Sequence, residues 1–233
     1  MFKMVVFDMA GTTINENNIV YKTLQGAINE KGFDFSLDQV LAEGAGREKL
    51  EAIKNILTVH AKKQDDALAD QIYIRFLVEL GNAYDSAEIE PVENAPELFD
   101  QLRKRKIVVV LNTGYNAATA EKLLAKLGWK KGDQFEGLVT ASDVRHNRPQ
   151  PDMIFLAMAQ FGIEDPKQVV KVGDSIVDIE EGKNAGCGLT VGITTGAHTR
   201  QQLQSANPDF IVDNLLELLL ILDRATRDVG SGA

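Results

Sequence analysis

The sequence predicts an α/β protein, an open parallel sheet with an all-helical insertion after its first strand. Short apolar runs rich in β-branched residues recur along the chain without polar alternation, as strands covered on both faces do. Helix-patterned segments separate the later runs, which is the rhythm of a parallel sheet. Between the first run and the rest lies a long block, Val20 to Tyr84, with helical patterning only.

In chain order, Met4 to Phe7 reads as the first strand, and the block after it reads as helices at Val20 to Lys31, Leu37 to Leu41, Glu48 to His60 and Asp66 to Leu80. Further strands are expected at Ile107 to Leu111, Gly137 to Thr140, Val169 to Val172, Leu189 to Ile193 and Phe210 to Val212. Helices at Ala117 to Leu127 and Pro151 to Phe161 fall between them. The expected division is a catalytic core over 1–16 and 85–229, a helical cap over 17–84 and a disordered tail over 230–233. A cap inserted there lies over the C-terminal edge of the sheet, where open parallel sheets bind ligands.

Composition narrows the classes of partner. The 233 residues hold 25 Lys and Arg against 34 Asp and Glu, a net charge of −9, which argues against nucleic acid and anionic membrane as partners. Asp8 interrupts the N-terminal apolar run too early for a signal peptide, and the stretch Leu215 to Leu222 is too short to span a bilayer. The lone Cys187 cannot form an internal disulfide, so a cytoplasmic location is expected. Cys187 and Trp129 read as packed residues, and His60, His146 and His198 as surface or loop residues without metal-ligand spacing.

Four strand ends carry chemistry. Asp8-Met9-Ala10-Gly11-Thr12-Thr13 offers a carboxylate followed by glycine and hydroxyls, suited to a nucleophile beside an anion site or to a simple turn cap. Asn112-Thr113-Gly114-Tyr115 ends a buried run in a hydroxyl, either an anion contact or a helix N-cap. Arg148-Pro149-Gln150-Pro151 holds a guanidinium at a stiffened approach to a helix, for a phosphoryl group or for solvent. Gly173-Asp174-Ser175-Ile176-Val177-Asp178 sets two acids four apart, a spacing that can hold Mg²⁺ or cap a helix.

Taken together and in order, these motifs resemble those of the haloacid dehalogenase superfamily of Mg²⁺-dependent hydrolases, mostly phosphatases, from Phe7 to Ile193. The resemblance implies a Rossmann-like core with an inserted cap. It implies Asp8 as the nucleophile that becomes an aspartyl phosphate, and Thr113 and Arg148 on the transferring phosphoryl group. Mg²⁺ would be held by Asp8, the carbonyl of Ala10, Asp174 and Asp178. Thr12, Gly114, Tyr115 and Arg47 complete the expected substrate-binding set.

One departure selects a branch. Where most phosphatases of the superfamily carry a general acid two residues after the nucleophile, this chain has Ala10. Such an acid is worth roughly 10²–10⁴-fold in rate. The segment Asp8 to Thr13, alanine included, resembles that of the phosphonatases, which cleave phosphonoacetaldehyde through a Schiff base on a cap lysine. Lys49 matches that lysine in its spacing from Gly46 and Ile53, and Arg47 is a neighbouring cation that could favour its neutral form. Two positions depart from the branch: Ala45 replaces its methionine, and Ala52 its histidine three residues after the lysine. The expected ligand is a small phosphonate or phosphorylated metabolite. The alternatives are a phosphomonoester phosphatase, similar to phosphoglycolate phosphatases, and a catalytically weak phospho-ligand-binding regulator. The sequence leaves a homodimer open.

Overall fold

The computed structural model describes residues 1–230. It opens with β1 (Met4–Asp8), fully buried, and the two-residue β2 (Ile14–Asn15). The insertion follows as α1 (Ile19–Asn29), α2 (Leu37–Gly44), α3 (Lys49–Ala61) and α4 (Asp66–Ser86). The chain returns through β3 (Glu90–Pro91), which pairs antiparallel with β2, so a small ribbon ties the two crossings between sheet and insertion. Then come α5 (Ala95–Lys104), β4 (Val108–Thr113), α6 (Ala117–Leu127), β5 (Gly137–Thr140) and α7 (Asp152–Gln160). The chain continues through β6 (Val169–Gly173), α8 (Ile176–Ala185), β7 (Leu189–Ile193), α9 (Arg200–Ser205), β8 (Phe210–Val212) and α10 (Glu217–Gly230).

Six strands form one parallel sheet in the order β5-β4-β1-β6-β7-β8. Successive crossovers run outward from β1 through β4 to β5, then switch sides to β6, β7 and β8. The switch falls between β1 and β6, and the crevice at their C-terminal ends is where such sheets bind ligands. Strand residues alternate between two cores. Val5, Phe7, Val109, Leu111, Val170 and Val172 face a large core that includes Phe99 of α5 and continues into the cap through Leu24, Ile28 and Phe76. Met4, Val6, Val110, Val139 and Val169 face Met153, Ile154 and Ala157 of α7. Each such side chain contributes on the order of 1.5–3 kcal/mol on burial.

The expected strands and cap helices are all present, with local differences. The sequence expectations name no helix at 95–104, where α5 stands on Leu98, Phe99 and Leu102 and donates Phe99 to a ring contact with Phe7 at 5.4 Å. Helix α4 runs past Leu80 to Ser86 because Tyr84 is buried and hydrogen-bonded beneath the cap. Of the tail expected to be disordered, Gly230 is the last residue of α10, and 231–233 lie outside the described residues. None of the described helices is long and apolar enough to cross a membrane.

Candidate active site

The C-terminal ends of β1, β4 and β6, with the loop before α7, bring the strand-end motifs together. Helix caps decide which side chains remain for chemistry. Asn116, accepting from the Thr119 N–H, caps α6, so Thr113 is not spent there. Ser175 caps α8 in a reciprocal box with Asp178, so Asp174 is not spent there either. Gly11, at φ +88°, tolerates no β-carbon, because one would run into the Asp174 carboxylate. The glycine therefore lets that carboxylate lie against the loop after β1, and Thr12 donates to it at 3.2 Å.

Asp8, Asp174 and Asp178 are all buried, and a carboxylate oxygen of each lies within 4.8 Å of the others. Arg148, 1% exposed, threads among them: Nη1 donates to Asp8 at 2.6 Å and pairs with Asp178 at 3.1 Å, Nε donates to Glu181 at 3.0 Å, and Nη2 donates to the Asn112 carbonyl at 2.9 Å. Lys171, fully buried in β6, reaches Asp178 at 2.9 Å and Asn112 Oδ1 at 2.8 Å. Burial raises the Asp8 and Asp174 carboxyls above the ordinary range, and for Asp174 repulsion from Asp8 and Asp178 adds to it. Burial also opposes ionisation of Asp178, but Arg148 and Lys171 together hold it below the usual value.

The charges do not balance. Four buried carboxylates, Asp8, Asp174, Asp178 and Glu181, share two cations, Arg148 and Lys171. Among the described residues no lysine or arginine forms an ion pair with Asp174, which accepts from the Ala197 N–H at 2.6 Å and the Thr12 hydroxyl at 3.2 Å. Four carboxyls against two cations, in an all-oxygen cluster of this size, fit a hard divalent cation, whose charge would favour the ionised forms of Asp8 and Asp174.

The helical insertion packs directly against this cluster. Gly46, at φ +72°, packs where a β-carbon would overlap Ser175 and Val177, and a β-carbon on Gly114 would stand 2.7 Å from the Arg47 carbonyl. The Arg47 guanidinium is turned back to α2, donating from Nε to the Glu43 carbonyl at 3.1 Å. Lys49, the first residue of α3, is 5% exposed. Its ammonium lies 5.4 Å from the Tyr21 ring centre and 5.2 Å from that of Tyr115, and donates to the Arg47 carbonyl. Burial lowers the amine to about 8, with Arg148 adding to the shift against the pull of Glu48, Asp8 and Glu16.

Sequence reasoning missed Glu16, Tyr21 and Tyr84, which gather around the expected Tyr115. Glu16, just after β2, is buried, accepts from the Val20 N–H at 3.0 Å and the Tyr84 hydroxyl at 2.9 Å, and is pushed up to about 7 by burial. Tyr84 and Tyr115 share a hydroxyl contact at 3.2 Å, and the Tyr21 hydroxyl accepts from the Gly46 N–H at 3.0 Å. Of the three histidines, His146 is exposed and His60 half-buried, but His198 is not a surface residue. Its Nδ1 accepts from the Ile176 N–H at 3.0 Å, which leaves the proton on Nε2 to reach the Leu41 carbonyl of the cap at 3.3 Å. Cys187 and Trp129 are buried as expected, and burial pushes the Cys187 thiol up to about 12.

Residues 2–186 match the family model of the haloacid dehalogenase-like hydrolases. A phosphonoacetaldehyde hydrolase of Latilactobacillus sakei is 30% identical over 94% of this chain and 94% of its own length. A phosphoglycolate phosphatase of Haemophilus influenzae is 26% identical over 95% of this chain and 98% of its own. A solved phosphonoacetaldehyde hydrolase-like protein from Oleispira antarctica shares the fold with a TM-score of 0.83, at 21% identity, across all of this chain and 95% of that one.

Proposed function

This chain belongs to the haloacid dehalogenase-like hydrolases, and from that premise we propose that it is a phosphonatase-type enzyme. It cleaves the carbon–phosphorus bond of a small phosphonate aldehyde of the phosphonoacetaldehyde kind. The observation that carries this reading is Lys49, an amine enclosed between two tyrosine rings over the Asp8 cluster, in a site with Ala10 at the acid position. An enclosed amine with a lowered pKa is the form that adds to an aldehyde. Relatives named for phosphonoacetaldehyde hydrolysis and for phosphoglycolate hydrolysis both match along nearly the whole chain. Lys49 supports the first of these.

In this reading the Lys49 amine condenses with the substrate aldehyde, and water leaves. Asp8 then attacks phosphorus. The carbon–phosphorus electron pair moves toward the protonated imine, so an enamine departs and no acid is required at Ala10. Water hydrolyses the aspartyl phosphate, and the protonated enamine is hydrolysed to the aldehyde and free Lys49. Asp8, the carbonyl of Ala10, Asp174 and Asp178 would hold Mg²⁺, whose charge offsets the repulsion between carboxylate and phosphonate. Arg148 and Thr113 stand at the same edge to orient the phosphoryl oxygens, and positioning of this kind accounts for most of phosphoryl-transfer catalysis.

A second reading rests on the same ammonium. A cation between two rings also suits the carboxylate of a phosphorylated hydroxy acid, which would make the protein a phosphomonoester phosphatase. Mixing the protein with Mg²⁺ and phosphonoacetaldehyde separates the two. Acetaldehyde and phosphate are expected in equal amounts, and both are lost in Lys49→Arg. Silence with the aldehyde together with turnover of phosphoglycolate would favour the ester reading.

A further inference from the structure

Imine chemistry at a lysine needs a proton donor and acceptor close by, and on the cap helix the carboxylate beside Lys49, that of Glu48, is engaged in capping α3 through the Glu51 N–H at 2.9 Å. The position three residues on is Ala52, fully buried. The structure supplies a carboxylate from elsewhere. Glu16 enters from the ribbon after β1, 3% exposed, and its Oε2 receives the Tyr84 hydroxyl at 2.9 Å. The Tyr84 oxygen lies 3.2 Å from that of Tyr115, whose ring is one of the two enclosing the Lys49 ammonium. Carboxyl, hydroxyl and hydroxyl thus form a buried hydrogen-bonded run that ends at the Tyr115 hydroxyl, whose ring centre lies 5.2 Å from the Lys49 ammonium.

We propose that Glu16, acting through the hydroxyls of Tyr84 and Tyr115, is the proton reservoir for imine formation and hydrolysis at Lys49. It fills the place that Ala52 leaves in the cap. The inference rests on the phosphonatase reading given above, and Glu16 acts through the tyrosines as a positioning and relay residue.

The protons balance along this path. Neutral Lys49 adds to the aldehyde carbon, forming the C–N bond and leaving O⁻ beside N⁺H₂. Transfer of one proton from nitrogen to oxygen gives the carbinolamine. Protonated Glu16 then supplies one proton through the two hydroxyls, the C–O bond breaks, water departs, and the nitrogen pair forms the iminium. After the phosphoryl group has moved to Asp8, water hydrolyses the aspartyl phosphate and frees one proton, the enamine carbon takes that proton up, and a second water adds to the resulting imine. Release of the aldehyde frees one proton, which returns to Glu16.

The surroundings keep both ends titratable near neutrality. Glu16 faces Tyr84 of α4, Tyr115 after β4, Lys49 of α3, and Tyr21 and Lys22 of α1; the Lys22 ammonium itself is bound to the Asn17 carbonyl at 2.7 Å. Burial raises Glu16 to about 7 and lowers Lys49 to about 8. The productive form holds one proton between the two groups, with the carboxyl protonated and the amine free. That form is populated only between the two apparent pKa values of the pair, so activity follows a bell.

The test is the pH profile of acetaldehyde release from phosphonoacetaldehyde with Mg²⁺, for the wild type, Glu16→Gln and Tyr84→Phe. Each variant is checked for folding by Mg²⁺-dependent binding of trifluoroberyllate. The expected wild-type profile is a bell. Glu16→Gln loses the descending alkaline limb, and its rate at the former optimum drops at least tenfold. Tyr84→Phe gives the same change in shape, which a merely structural contact would not produce. Should Glu16→Gln fail to fold, Tyr84→Phe alone decides. An unchanged bell with rates within twofold of the wild type overturns the relay while leaving the phosphonatase reading intact. If borohydride with phosphonoacetaldehyde does not inactivate the wild type, no imine forms, and the relay falls together with the reading on which it rests.

Discussion

At the sheet edge, Arg148 and Lys171 face four buried carboxylates in a network where nearly every donor has an acceptor. Beneath the cap, Lys49 lies between two tyrosine rings, with Glu16 reached only through hydroxyls. The first region is rich in charge, with more carboxyls than cations, which suits a metal ion that would in turn offset the charge of a phosphoryl group. The second is nearly apolar, and it holds its lysine and carboxylate away from their ordinary ionisation ranges. The contrast separates two tasks. On the proposed reading, the sheet edge serves phosphoryl transfer in general, whereas the region around Lys49 decides which bond to phosphorus is broken.

The comparison can be broken most severely at Asp8. Asp8→Asn is expected to lower phosphate release by at least about 10⁴-fold, the scale of losing a covalent nucleophile, with carbon–phosphorus and ester substrates affected alike. A phosphate-release assay on both substrates checks this. A sharper probe moves one property from the common chemistry of the family into this site. Ala10→Asp introduces the missing acid, and ester hydrolysis is expected to rise by about 10²-fold while carbon–phosphorus cleavage does not gain. The ratio of the two activities is the measurement.

The smallest effect is on stability. The Lys49 amine falls to about 8 in the folded state from 10.5, so below pH 8 folding must bury a charge that the unfolded chain keeps in water. That cost is relieved as the pH rises from about 8 to 10.5, where the unfolded chain still binds a proton that the folded one has released. Lys49→Met removes the charge and keeps the volume. It is expected to stabilise the protein at pH 7 by about 2 kcal/mol, roughly 4–8 °C in Tm, with the gain shrinking above pH 8. Thermal melts at pH 7 and pH 10 check the sign.

Much of the sheet edge was legible in the sequence because parallel strands place their chemistry at their own C-terminal ends. Asp8, Thr113 and Asp174 each lie at or next to the last residue of an apolar run. Lys49 was singled out by resemblance to the phosphonatases, whose lysine has the same spacing from a glycine and an aliphatic residue as Lys49 has from Gly46 and Ile53. The supporting network was not legible, since Asn112, Lys171 and Glu181 meet only once β4, β6 and α8 are assembled. Lys171 carried a signal, a lysine inside an otherwise apolar strand, which can be buried only with partners. Glu16 and Tyr84 carried none, being 68 positions apart and joined only by the fold. His198 is the loop residue the sequence suggests, but its burial against the cap's Leu41 and the start of α8 follows only from the assembled fold.

The central claim is that Lys49 forms a covalent imine with the substrate. Borohydride reduction of the protein with Mg²⁺ and phosphonoacetaldehyde, followed by peptide mass analysis, tests it directly. The account predicts one reduced adduct, an ethyl or phosphonoethyl group on Lys49, absent from Lys49→Arg. Carbon–phosphorus cleavage by the wild type with Lys49 unmodified would contradict it.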